Sequence, residues 1–417
     1  MYKIKNKFIL SNIFKLKGNF RNGGFPESKK FENVYIAPFK DNKSAAVTIS
    51  ADFELGWAWR SRGIEFTTKK AKTARSNFPL LLSLLEKYQI PITWATVGHL
   101  FLSECSKNSD DVAHPDMPRP PINHLTPGDW YEFDPCTNMD ADPSWYSPDL
   151  INQILQSPIK HEIGTHTFSH IDFSPRLSSE NLVQKEIEKC INVMKPFGIT
   201  PKSLVFPFNH NGDTYLELLS NMGINAVRYR DNKVRISYPE RTPTGIYKLY
   251  ESMNLRAASH YDYIDKVEIF INQAIKNNAA YNLWFHPSDH REIFENEFQR
   301  ILSLLASGSV KKQVWTTTIS ELISYCEARD SMNLKIENIH NCINIDLISS
   351  FNKDRYGNSD LTLLVVCKDE PKVIKFKNDT ILNQISNLED HHYHFDKFNK
   401  KLIITIPISI KRLEIYF

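Results

Sequence analysis

From residue 45 to residue 328 the chain alternates short apolar runs with stretches of helical period, and few folds accept that pattern. The runs are 45–50 (AAVTIS), 92–97 (ITWATV), 162–165 (EIGT), 203–206 (SLVF), 226–228 (AVR) and 282–285 (NLWF). Between them, helices are predicted over 69–89, where Phe78, Leu81, Leu82 and Leu85 form one stripe, and over 179–197, 213–222, 263–277 and 291–307, with a last one near 318–328. Strands joined through helices pair in parallel, and repeated units of this kind build an α/β barrel or a doubly wound sheet. Beyond about residue 331 the helical period stops. Runs at 361–367, 372–376, 402–407 and 412–416, separated by Asn-, Asp- and Lys-rich turns, predict a small antiparallel β domain. The expected division is therefore a segment 1–44, an α/β domain 45–330 and a β-rich domain 331–417. The stretch 103–158, rich in Pro, Asp and aromatic residues, is too long for a plain connection. A substrate-side insertion and a surface excursion fit it equally.

Charge narrows the partners. The net charge is +3, yet residues 1–30 hold eight Lys/Arg and one acid, Glu27, so the remainder carries a net −4. That balance excludes a nucleic-acid footprint over the main body. The basic segment reads as a solvated terminus, with peripheral contact to anionic lipid as the alternative. No run of 18 apolar residues is available for a transmembrane helix. Residues 8–14 are short and broken by Ser11 and Asn12, unlike a secretory h-region, so a cytoplasmic location is expected. Six scattered cysteines without a C-x-x-C pair are expected to be reduced and structural.

Three polar clusters follow predicted strands. Asp52 and Glu54, two apart on extended backbone, share one face and can enter one pocket. His166 and His170 stand four apart in HEIGTHTFSH; on a helical turn they would share a face, and neutral imidazoles so placed suit a borderline divalent cation such as zinc. Taken alone, that spacing more often marks surface or core histidines. His286, in LWFHPSDH, ends the run 282–285 and could protonate a leaving amine or alcohol. Aromatic residues flank each cluster: Trp57 and Trp59, then Trp130, Tyr131 and Trp145, then Trp284. A sugar ring can stack on such faces, and Trp57 and Trp59 are the first candidates.

In order, spacing and position at strand ends, these clusters resemble the polysaccharide deacetylase family over roughly residues 45–326. The resemblance implies a distorted (β/α) barrel with the small antiparallel β domain appended. It implies a metal-dependent hydrolase that removes an acetyl group from a sugar, N-acetyl in preference to O-acetyl, in bacterial surface-polysaccharide synthesis or modification. Asp52 would then be the base and Glu54 a metal ligand, though their roles could exchange; His166 and His170 would be ligands and His286 the general acid. The implied cofactor is zinc, with cobalt, nickel or manganese as substitutes. The implied partner is an acetylated sugar, nucleotide sugar or glycan. Two departures stand out. The family's third motif carries an arginine where this chain has Phe206-Pro207-Phe208-Asn209-His210, so Arg228, Arg230 or Arg60 must replace it in space or the base is held otherwise. Asn209, His210 and Arg228 are candidate substrate contacts. The acid that orients the general-acid histidine has no clear match, with Asp231 and Asp289 as candidates. Rival readings are an amidohydrolase acting on a non-sugar amide and a glycan-binding protein that keeps the fold without turnover.

Overall fold

A computed structural model describes residues 20–23, 29–256, 263–378, 381–384 and 393–417. Most of the basic segment, with the lipid contact expected of it, lies outside the described residues.

Eight parallel strands form the frame: β1 Ala45–Phe53, β2 Thr93–Thr96, β3 Glu162–Thr165, β4 Ser203–Val205, β5 Ala226–Tyr229, β6 Tyr247–Tyr250, β7 Ala280–Phe285 and β8 Val314–Thr317. Their spatial order is β7-β1-β2-β3-β4-β5-β6, while β8 pairs with the first half of β1. The chain leaving β6 pairs in parallel with β7 through Met253 and Asn254, so the sheet curls almost back onto itself. This is a distorted (β/α) barrel. All nine residues of β1 are buried, as expected for a parallel strand covered on both faces.

The helices form where the apolar stripe predicts them. Helix α1, Ile64–Tyr88, buries Ala71, Ala74, Phe78, Leu81 and Leu85 and ends at Gln89 in the left-handed conformation. Phe78 wedges between Phe53 of β1 and Trp94 of β2, with ring centroids 5.2 and 5.0 Å away. Helix α2, Glu180–Met194, is capped by the Ser179 side chain, which accepts from the Leu182 N–H. Helix α3, Ile319–Ser331, closes the domain. Two predicted helices come out differently. The stretch 213–222 is a 3-10 turn leading into the short helix Leu216–Asn221, and 291–307 begins with a π-helical turn, Ile293–Phe298. The stretch between β2 and residue 147 is largely irregular but is no surface excursion: Trp130, Tyr131, Trp145 and Tyr146 are buried in the barrel's own core.

The remaining strands form a sandwich. One sheet contains Met332–Ile339, Cys342–Ser349, Arg412–Tyr416, Val373–Asn378 and Ile381–Gln384, in that order. The other contains Asp360–Val366, Lys401–Pro407 and Tyr393–Asp396, extended by Lys29–Phe31 and Val34–Ile36 from the far end of the sequence. Residues 29–36 are thus structurally part of the C-terminal unit, unlike the division drawn at residue 44. Val34 and Ile36 alternate inward and complete an apolar core with Leu363, Ile404 and Leu413.

The sandwich docks where barrel strands begin. Asn225, just ahead of β5, exchanges hydrogen bonds with Arg355, and the Tyr356 hydroxyl donates to the Gly245 carbonyl ahead of β6. No helix among the described residues is long and apolar enough to cross a membrane.

Candidate active site

Register brings the distant clusters to one level. Phe53 of β1 lies beside Thr96 of β2, which lies beside Thr165 of β3, so Glu54 and His166 leave the sheet at the same height. Ala51 lies beside Phe285, which sets Asp52 level with His286. Thr165 pairs with Leu204 and Leu204 with Val227, so Arg228 stands at that height as well. All lie at the C-terminal ends of parallel strands, where barrels of this kind assemble their chemistry.

The expected helical turn at His166 and His170 does not form. The chain leaves β3 as a loop in which Thr167 and His170 adopt positive φ of 63° and 58°, and this reversal, not helical periodicity, turns both rings inward. The loop is held by Glu186 of α2, whose carboxylate accepts from the Ser169 N–H at 2.7 Å and the Ser169 hydroxyl at 2.6 Å. Burial raises the pKa of Glu186 against these bonds. An acid set on the apolar stripe Leu182, Val183, Ile187 and Cys190 was the signal available in the sequence.

Three donor atoms converge. His166 Nε2 and His170 Nε2 stand 3.0 and 3.1 Å from the same oxygen, Oε1 of Glu54, and all three residues are buried. His166 Nδ1 faces the Val205 carbonyl at 2.7 Å; a carbonyl only accepts, so Nδ1 carries the ring proton. In the neutral ring the Nε2 lone pair then points at a carboxylate oxygen. Burial lowers the pKa of His170 to about 4. The second Glu54 oxygen is buried without a hydrogen-bond partner. The His166 Nε2 lone pair opposed to Glu54 Oε1 at 3.0 Å is repulsive, and a cation between them removes the conflict. The set therefore fits a divalent ion with three protein ligands and open positions.

Asp52 faces Arg228. The guanidinium grips both carboxylate oxygens, Nη1 at 2.5 Å and Nη2 at 2.7 Å, and donates further to Ser50 Oγ and Asn209 Oδ1 at 3.1 and 3.2 Å. It also lies 4.4 Å from the Trp284 ring centroid. Of the three arginines considered for the absent motif arginine, Arg228 is the one bonded to Asp52, and Asn209 braces it. Arg60 bonds to the Trp57 and Ser169 carbonyls, and Arg230 lies 3.7 Å from Glu251.

His286 completes the ring of groups. Its Nε2 is 3.8 Å from Glu54 Oε2 and its Nδ1 is 3.7 Å from Asp289, which also accepts from the His286 N–H at 3.1 Å. Burial disfavours the imidazolium, but the carboxylates of Glu54, Asp289 and Asp52 outweigh it and raise the pKa to about 9. Of the two candidate acids, Asp289 is the neighbour; Asp231 pairs with Arg235.

The aromatic candidates divide by burial. Trp57 is 1% exposed and packs edge-on against Trp145, so it offers no face to a sugar; Trp130, Tyr131, Trp145 and Trp284 are likewise buried. Trp59 is half-buried, with its ring centroid 5.9 Å from that of His286. Phe208, in the third-motif stretch but given no role there, packs 4.5 Å from the His170 ring with a strained φ of 58°. His210 stands at the rim, half exposed, bonded to buried Asp172 at 2.7 Å.

The polysaccharide deacetylase family model matches residues 62–227. Over that stretch, about two fifths of the sequence, the chain is similar to polysaccharide deacetylases. Among solved structures, a Mycobacterium smegmatis protein assigned as a polysaccharide deacetylase is similar, at 14% identity and TM-score 0.50, over 69% of this chain and 92% of the other. A Pseudomonas aeruginosa PAO1 protein of the same assignment gives 10% identity and TM-score 0.48, over 69% and 92%. The allantoinase PuuE gives 12% and 0.48, over 72% and 93%. At 14% identity the first of these likenesses speaks for fold alone. No curated protein matches the chain.

Proposed function

We propose that this protein is a metal-dependent deacetylase that hydrolyses the N-acetyl group of a sugar, with O-acetyl as the less favoured bond. The opposed acceptor atoms of Glu54 and His166, with His170 Nε2 at the same carboxylate oxygen, carry the reading, because the His166–Glu54 contact is repulsive without a cation. Zinc suits a carboxylate and two imidazoles; cobalt, nickel and manganese are the substitutes. When bound, such an ion supplies Lewis-acid polarisation and makes water a better nucleophile.

The remaining steps belong to the chain. Asp52, aimed by the Arg228 fork, takes a proton from the attacking water. His286, steadied by Asp289, donates a proton to the departing sugar nitrogen, and acetate leaves. Trp59 offers a partly exposed face beside His286 on which a sugar ring can rest. The substrate is an acetylated sugar, nucleotide sugar or glycan intermediate.

The test is acetate release from a panel of acetylated sugars and nucleotide sugars by metal-loaded, chelated and His166→Ala protein. Release by the loaded protein, lost on chelation and in the variant, is the expected result. A metal-bearing protein that releases no acetate but opens a cyclic or non-sugar amide would replace the sugar reading with an amidohydrolase. Full activity in His166→Ala would remove the metal scheme altogether.

A further inference from the structure

Away from that site, the buried stretch between β2 and residue 147 brings together His99, Cys105, His114 and Asp134, whose ligand atoms all lie within 4.8 Å of one another. Asp134 Oδ2 is 2.9 Å from His99 Nε2 and 2.7 Å from His114 Nε2. Cys105 Sγ is 3.5 Å from Asp134 Oδ2 and 3.8 Å from His99 Nε2. The side chains of His99 and Asp134 are sealed from solvent, and His114 is 6% exposed. His99 Nδ1 faces the Trp145 carbonyl at 3.1 Å and must carry its proton there. The Nε2 lone pair of the neutral ring then confronts a carboxylate oxygen, the same conflict as between His166 and Glu54.

From these contacts we infer that His99, Cys105, His114 and Asp134 form a second, structural metal site for zinc or a like divalent cation. One sulfur, two imidazole nitrogens and one carboxylate oxygen make a closed tetrahedral set. Zinc bonds of about 2.0–2.3 Å place tetrahedral donors roughly 3.3–3.6 Å apart, close to the sulfur distances here. Binding sends the Cys105 proton to solvent, and the resulting thiolate, the Asp134 carboxylate and a doubly charged cation sum to a neutral core. The carbonyl behind His99 fixes the tautomer, as outer partners of ligating histidines do. Empty, the site leaves one buried carboxylate to two imidazoles, and burial pushes the Cys105 thiol well above its ordinary range.

The position says what the site is for. His99 follows β2 in the barrel, whereas Cys105, His114 and Asp134 belong to the irregular stretch. A cation ties that stretch down where Trp130 Nε1 donates to Ser169 Oγ and the Tyr131 hydroxyl to Glu186, both on the framework that holds the His166–His170 loop.

Cobalt distinguishes the two sites, since only this one contains sulfur. Reduced full-length protein titrated with Co2+ should develop a thiolate-to-cobalt charge-transfer band at one equivalent per chain. The band should persist in the His166→Ala/His170→Ala protein and vanish in Cys105→Ser, and zinc content should fall by one equivalent in each case. Should Cys105→Ser not fold, alkylation of native protein decides: Cys105 should be protected with metal and react after chelation. A folded native protein without the band, a band that survives Cys105→Ser, or a Cys105–Cys136 disulfide in protein purified without reductant would overturn the assignment.

Discussion

Replacing Arg228 with Met removes a fork of two bonds, 2.5 and 2.7 Å long, from a carboxylate whose side chain is 4% exposed. Breaking a buried ion pair by deleting one partner is destabilising by about 3–5 kcal/mol, because the other charge is stranded. Asp52 is stranded beside a second acid, Glu54, which places Arg228→Met toward the upper end of that range. Asp52→Asn strands Arg228 less severely, since Ser50, Asn209, the Trp284 ring and the charge of Glu251 remain around it. In the double variant no charge is stranded at Asp52, so the two changes should be non-additive by about 2–3 kcal/mol. All seven tryptophans, Trp57 to Trp315, lie in the barrel domain, so urea unfolding followed by tryptophan fluorescence isolates its transition from the sandwich. Single effects that add to the double within about 0.5 kcal/mol would refute the coupling. Arg228→Lys keeps the charge but not the fork, and is expected to lower kcat roughly 10- to 100-fold, within what a misdirected general base forfeits.

Three further outcomes test the structure elsewhere. Burial lowers the pKa of His161 from its ordinary 6.5 to about 4, and its Nδ1 accepts from the Ile92 N–H at 3.1 Å. Above pH 6.5 the ring is neutral in both states and contributes nothing. Between pH 6.5 and 4 the unfolded chain binds a proton that the folded one refuses, so stability falls by about 1.4 kcal/mol per unit of decreasing pH. His161→Gln should flatten that part of the stability–pH curve, and an unchanged slope would assign it elsewhere. A Cβ at Gly164 would stand 3.0 Å from the Ser203 carbonyl oxygen, so Gly164→Ala should destabilise the barrel by about 1–3 kcal/mol in the same urea assay, and a neutral result would mean that β3 and β4 are less tightly apposed. Ile36→Ala should destabilise the sandwich by about 2–4 kcal/mol, read by calorimetry, while the tryptophan transition stays near its wild-type midpoint; a neutral result would detach residues 29–36 from that core.

Local pattern alone supported much of this molecule. The alternation of buried strands and amphipathic helices specifies a parallel α/β frame, since side-chain period is a property of the backbone itself. It also puts Asp52, Glu54, His166 and His286 at strand ends, and register then needs only regular pairing to bring them level. The β domain was legible in the same way from residue 331 onward.

What local pattern does not contain is contact between segments far apart in the chain. Only the folded barrel selects Arg228 over Arg60 and Arg230, because the choice depends on which guanidinium reaches across 176 positions to Asp52. The inward turn of His170 depends on left-handed residues held by Glu186, and helical spacing led to a different conformation with the same outcome. Trp57 looked like a sugar platform until packing against Trp145 consumed its face. Residues 29–36 are too short to reveal that their partner strand lies more than three hundred positions away. The His99, Cys105, His114 and Asp134 cluster has no regular spacing, since an irregular stretch brings its members together. Sequence reports the repeat of the backbone; charge pairing, burial and ligand geometry depend on distances that exist only after the chain has closed on itself.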